Sequence, residues 1–176
     1  MACNPHFYGI FAPKPNDMLS EKQTSFLDRA IELSGKGMHS GQGGPFGCVI
    51  VKDGEIVGEG YNMVTSTNDP TAHAEVVAIR DACRRLQTFQ LEGCEVYTSC
   101  EPCPMCLGAI YWARPAKVYF ANTRKQAAAI EFDDDFIYGE INALNHERQI
   151  PFEHAPSDKA LAVFREWNNK QGRTGY

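Results

Sequence analysis

A histidine, a glutamate and two cysteines stand in two short runs, Thr71-Ala72-His73-Ala74-Glu75 and Pro102-Cys103-Pro104-Met105-Cys106. One imidazole and two thiolates form a soft nitrogen-and-sulfur donor set, the kind that selects zinc. Three protein ligands leave the fourth position of a tetrahedral ion open to water, as catalytic rather than structural zinc requires. Glu75 is a poor further ligand but is placed to handle that water's protons. His73, Cys103 and Cys106 are therefore the expected ligands, Zn2+ the expected cofactor and Glu75 the expected proton carrier.

Two helices have to position these groups. Pro70-Thr71 reads as the start of the first, with Thr71 as N-cap and Val76, Val77, Ile79, Ala82 and Cys83 on its apolar side. His73 and Glu75 then fall in its first turn, where free backbone N–H groups favour a carboxylate. Pro102 suits the start of the second helix, which continues through Leu107, Ile110 and Trp112. Cys103 and Cys106, three apart, share a face of that helix. A helix N-terminus also lowers a thiol pKa and so favours the thiolate that zinc needs.

Other readings of the same residues stand beside this one. Cys100, Cys103, Cys106 and His73 together would make a closed Cys3His structural site. The Cys-x-x-Cys pair alone would serve as a thiol redox module. A closed site leaves Glu75 without a task, which favours the open arrangement.

The chain has 176 residues, 43% hydrophobic and 22% charged, as expected of one folded domain with a real core. A formal net charge of -5 argues against a general nucleic-acid binder. Seven cysteines are an odd number, and two are already assigned to metal, so a reducing cytoplasmic location fits better than a disulfide framework. Residues 7–12 are too short for a signal-peptide core, and no stretch approaches a membrane span.

Residues 1–19 read as an irregular N-terminal extension. Ser20 and Gln23 match a capping box that opens a helix with Phe26, Leu27, Ala30, Ile31 and Leu33 inward. The glycine-rich stretch 35–47 reads as flexible turns, since it lacks the lysine-serine ending of a phosphate loop. Residues 46–52 and 55–61 form a hairpin about Asp53-Gly54. Further strands fall at 94–99 and 117–121, the second after the Cys106 helix, and a helix begins at Arg124. Residues 150–156 hold two prolines and read as a linker before an amphipathic helix over 158–169, with Leu161, Phe164 and Trp167 on its apolar side. The order β-β-α-β-α-β predicts an α/β fold with a mixed central sheet and helices on its faces. Both metal motifs lie where a helix begins near strand ends, as sites in open α/β sheets do.

The H-x-E…P-C-x-x-C pattern is the signature of zinc nucleobase deaminases. Further stretches carry a narrower likeness: Gly43-Gly44-Pro45-Phe46-Gly47, Asn62, Asn68-Asp69-Pro70, Tyr97-Thr98-Ser99-Cys100-Glu101 and, most diagnostic, Phe132-Asp133-Asp134-Asp135-Phe136-Ile137-Tyr138. Over about residues 21–176 the chain resembles the guanine deaminases of the cytidine deaminase-like superfamily. The resemblance implies the three-layer fold of that superfamily, a catalytic core over 20–150 and a C-terminal linker and helix over 151–176 that closes the site. It implies hydrolysis of guanine to xanthine and ammonia, with a small-molecule purine substrate and neither nucleic acid nor membrane as partner. It places Phe46, Asn62, Ala74 and Tyr176 at the substrate and Asp134 as a second acidic group at its amine. It also implies a homodimer, with C-terminal segments exchanged between subunits.

Each of these residues has a plainer reading. Phe46 on a strand is core, Asn62 after a strand is a turn former, residues 133–135 are a solvated charge run, and Tyr176 is a frayed end. Guanosine, another purine or a triazine is an alternative substrate, as is the adenosine of a tRNA; a non-catalytic zinc or thiol module is the alternative outside enzymes.

Overall fold

The computed structural model describes residues 18–132 and 134–175. Its centre is strand β1 (Gly47–Lys52), an apolar run buried over its first five residues. Successive side chains point to opposite faces, so Cys48 and Ile50 enter one core cluster and Val49 and Val51 the other. Asp53 and Gly54, with φ of 52° and 78°, turn the chain into β2 (Glu55–Tyr61). Positive φ at both central residues is what a tight two-residue hairpin requires. β1 also pairs antiparallel with β3 (Glu95–Cys100), and β3 pairs parallel with β4 (Lys117–Asn122), giving the mixed order β2-β1-β3-β4.

Helix α1 (Glu21–His39) packs on the face that carries Val49, Val51 and Tyr97. Its start is the expected capping box: Gln23 N donates to Ser20 Oγ at 3.2 Å and Ser20 N to Gln23 Oε1 at 3.0 Å. Ala30, Leu33 and Gly37, at i, i+3 and i+7, are its buried line, whereas Ile31, expected inward, lies off that line and is 45% exposed. The helix also runs through Gly35 and Gly37, where the sequence suggests turns. Gly37 lies against the Tyr61 ring, where a Cβ would come within 2.8 Å of a ring carbon.

After the short helix α2 (Val64–Thr67), helix α3 (Ala74–Leu86) covers the opposite face and buries Ala74, Ala78 and Ala82 against Cys48, Ile50 and Val96. Helix α4 (Pro104–Ala113) supplies the crossover that parallel β3 and β4 need. The expected mixed sheet with helices on both faces is thus present. α5 (Arg124–Ala128) begins where expected, under a capping box from Thr123 and Gln126. α6 (Asp135–Asn142) and α2 have no counterpart in the sequence reading; both are too short for periodicity to declare them. α7 (Asp158–Asn169) has the expected bounds but no buried residue. Among the described residues, no helix is long and apolar enough to cross a membrane.

Candidate metal centre and its cavity

Both metal motifs meet their helices two residues later than the sequence suggests. Thr71 is not the N-cap of α3: its N–H and hydroxyl both donate to Asp69 Oδ1, at 2.8 and 2.7 Å, in a turn before the helix. The cap position belongs to His73, with extended ψ of 155°. Likewise α4 starts at Pro104, with Cys103 as its N-cap, ψ 167°. A proline at the first helical position loses no hydrogen bond, which makes Pro104 the better start than Pro102. Neither cap side chain is spent on capping. Each motif therefore contributes one cap side chain, His73 or Cys103, and one first-turn side chain, Glu75 or Cys106.

The three expected ligands come together. His73 Nδ1 lies 3.5 Å from Cys103 Sγ and 3.6 Å from Cys106 Sγ, and all three donor atoms fall within 4.8 Å of one another. Bonds of about 2.0–2.1 Å to nitrogen and about 2.3 Å to sulfur, at a tetrahedral angle, separate N from S by about 3.5–3.6 Å. The donor set fits zinc in both chemistry and spacing. Cys100 is not part of it: its thiol donates to the Thr123 carbonyl oxygen at 3.8 Å, and burial pushes its pKa up to about 11. The closed Cys3His reading thus lacks its fourth ligand, and the open side faces a cavity.

The electrostatics agree with that use. Cys103 is held down to about 4, first by the hydrogen bond from Cys106 and then, against burial, by His73. Cys106 is pushed up by the same bond, so Cys103 is the readier thiolate, and a bound dication would displace the remaining thiol proton. The bond to Cys103 also raises His73. Glu75 is 6% exposed and its pKa is raised, chiefly by burial. Its carboxyl accepts from Cys106 Sγ at 3.3 Å and from Thr98 Oγ1 at 3.4 Å. The sequence reading gives Thr98 no role of its own, although it lies two residues from Val96 on β3 and so on the face that meets α3.

His73, Glu75 and Cys103 open on a cavity of about 420 Å³ whose wall includes Phe46, Asn62, Phe132 and Asp134. Phe46 precedes β1 instead of lying in it, and its carbonyl accepts from Asn62 N at 3.0 Å. Asn62 is buried; its Oδ1 accepts from Gly44 N at 3.3 Å and Val64 N at 3.2 Å. Asn62 thus holds the turn through its Oδ1 and also lines the cavity, where its NH2 end is left to donate. Asp134 occupies the cap position of α6, yet its side chain makes no capping bond there. Ala74 is fully buried in the core and is absent from the cavity wall, because the first residue of α3 faces the sheet. Tyr176 and Asp133 lie outside the described residues. Glu101 and Arg124, unforeseen, also line the cavity, joined by Arg124 N donating to Glu101 Oε2 at 3.0 Å.

A larger groove of about 520 Å³ lies where α1, β2 and α3 meet. Most of its charges pair, Arg80 with Asp69 and Arg84 and Arg85 with Asp81, and among the described residues it holds no metal-donor cluster.

Fold and donor set together define a zinc-binding deaminase domain. Residues 20–122 match the family model of the cytidine and deoxycytidylate deaminase zinc-binding region, and the chain belongs to that family. It is 55% identical over 152 residues to guanine deaminase of Bacillus subtilis (strain 168), covering 86% of this chain and 97% of that protein. The solved structure of the Bacillus subtilis guanine deaminase superposes with a TM-score of 0.85 at 54% identity, over 87% of this chain and 98% of that one. A tRNA-specific adenosine deaminase of Aquifex aeolicus (strain VF5) is 37% identical over 145 residues, 82% of this chain and 93% of that protein.

Proposed function

We propose that the protein hydrolyses guanine to xanthine and ammonia. The reaction class rests on one observation above the others: a buried carboxyl, Glu75, lies 3.3 Å from a metal-ligand sulfur on the wall of the cavity that the donor set faces. The substrate follows from the extent of identity to a guanine deaminase, well above that to the tRNA enzyme. The net charge of -5 points the same way.

His73, Cys103 and Cys106 would hold zinc, which would supply a Lewis acid that brings the pKa of water toward neutrality. Glu75 takes a proton from the attacking water and delivers it to the ring nitrogen beside C2. A C2–O bond forms, Glu75 then passes the proton of the new C2 hydroxyl to the exocyclic amine, and the bond from C2 to that amine breaks, releasing ammonia and leaving the C2 carbonyl of xanthine. Asp134, on the wall of the same cavity, holds the departing amine. Asn62 offers its NH2 to an acceptor on the base edge, and Phe46 gives the base an apolar face.

In this reading residues 20–150 are the catalytic core, residues 1–19 an extension, and residues 151–176 a lid ending in Tyr176. Helix α7 supports that division: it buries nothing, and Val163 and Phe164 are 60% and 75% exposed on an amphipathic helix. An exposed apolar stripe of this kind is covered by another surface. A homodimer with exchanged C-terminal segments provides one. The six described cysteines are free thiols, which suits the cytoplasm.

The test is ammonia and xanthine release by zinc-loaded protein from guanine, run beside guanosine, adenine, cytidine and a tRNA. Guanine is expected to lead the panel by kcat/KM. Preference for the tRNA would sink the reading, and preference for guanosine would change the substrate while keeping the mechanism.

A further inference from the structure

We propose that Phe132 is a specificity-determining residue, forming with Phe46 a right-angled aromatic corner that admits a flat, unsubstituted base edge. The inference rests on the guanine reading above and extends it to a residue for which the zinc chemistry has no use.

Three observations build the corner. The Phe46 and Phe132 rings stand with centroids 4.8 Å apart and planes at 89°, and both line the cavity that holds His73 and Glu75. A flat heterocycle stacked on one ring therefore meets the other at its edge. Second, Gly44 leaves the space that Phe132 fills: a Cβ there would come within 2.8 Å of Phe132 Cζ and 3.1 Å of Phe46 Cε2. Third, the chain is folded back to put Phe132 there. The Ala127 carbonyl accepts from Ile130 N at 3.0 Å and Phe132 N at 3.1 Å, and Glu131 between them takes a φ of 70°. With Glu131 N donating to the Ala128 carbonyl at 3.1 Å, this is a left-handed helix-end turn, and it fixes the direction in which the chain leaves α5. Phe132 itself is 44% exposed, so its ring is not required for the core. Asp134 follows two residues later on the same wall, so this turn sets the aromatic corner and the acidic group together.

The experiment compares wild type with Phe132→Ala, Gly44→Ala and Phe132→Tyr, using guanine and guanines methylated at C8, N7 or N9. Zinc content and melting temperature serve as controls. Both Phe132→Ala and Gly44→Ala are expected to raise KM for guanine about tenfold, the size of one lost base–aromatic contact. kcat should stay within about twofold, since the corner acts on binding rather than on proton transfer. Rejection of at least one methylguanine should weaken by about the same tenfold, and Phe132→Tyr should keep both properties. A fall in kcat at constant KM, or one common factor across all substrates, overturns the proposal. So does a wild type that accepts every methylguanine as well as guanine. If wild type neither binds nor deaminates guanine, the functional reading fails and takes this proposal with it. Unchanged ratios in both variants of an active, selective enzyme remove the role of Phe132 alone.

Discussion

Gly60 of β2 lies directly beneath Ala74, the first residue of α3: a Cβ on the glycine would run into the Ala74 carbonyl oxygen and come within 2.6 Å of Ala78 N. Because Ala74 stands between His73 and Glu75, this close approach sets the height at which imidazole and carboxyl meet the two thiols. Gly60→Ala is therefore expected to cost about 1–3 kcal/mol by overpacking. It should also lower zinc occupancy, which a purely thermal defect would not do at a temperature where the chain is folded. Melting temperature and bound metal, measured on one preparation, check both parts.

The metal centre should hold about one zinc per chain. Cys103→Ser and Cys106→Ser are expected to lose metal and turnover. Cys100→Ser should keep both, because the Cys100 thiol is engaged with the Thr123 carbonyl. Elemental analysis of dialysed protein decides this, and zinc loss from Cys100→Ser would revive the closed four-ligand site.

Glu75→Gln should fold and keep zinc, since the amide retains the shape of a group 6% exposed and bonded to Thr98. Turnover is expected to drop by about 10²–10⁴-fold, the usual contribution of a positioned acid–base group. Steady-state kinetics at matched zinc content give the answer; near-normal kcat would remove Glu75 from the mechanism.

Asp134→Ala should reduce kcat for guanine more than Asp133→Ala or Asp135→Ala, because Asp134 lines the cavity. Equal losses from the three variants would return this run to a solvated charge cluster.

Deleting residues 174–176 should impair guanine turnover while sparing zinc content and the melting temperature, since the preceding helix buries nothing in its own chain. Mixing Glu75→Gln chains with the truncated chains should then restore part of the activity, each heterodimer gaining one site with an intact carboxyl and a donated lid. Absence of recovery after proven subunit exchange would place the lid within its own chain.

What the sequence determined by itself was chemical and local. The types and spacing of His73, Glu75, Cys103 and Cys106 announce a metal site with a proton carrier, because donor softness and ligand number belong to residue types before any folding. Ser20 with Gln23, Asp53 with Gly54, and the apolar alternation of β1 are likewise legible, since a capping box, a tight turn and a strand each involve neighbours a few residues apart. Helix starts were misplaced where two local signals compete: Thr71 looks like a cap until Asp69 takes its hydroxyl, and Pro102 looks like a first turn until Pro104 does. The tertiary structure supplied what the sequence could only favour, the engagement of the Cys100 thiol with the Thr123 carbonyl, away from the metal set. It also turned the Asn62 oxygen to the backbone, sank Ala74 into the core and brought Phe132 against Phe46 across 86 residues of chain. Those outcomes depend on distances between elements far apart in sequence, set by how closely β2 lets α3 approach and how the turn after α5 folds back. Neither periodicity nor residue type carries that information.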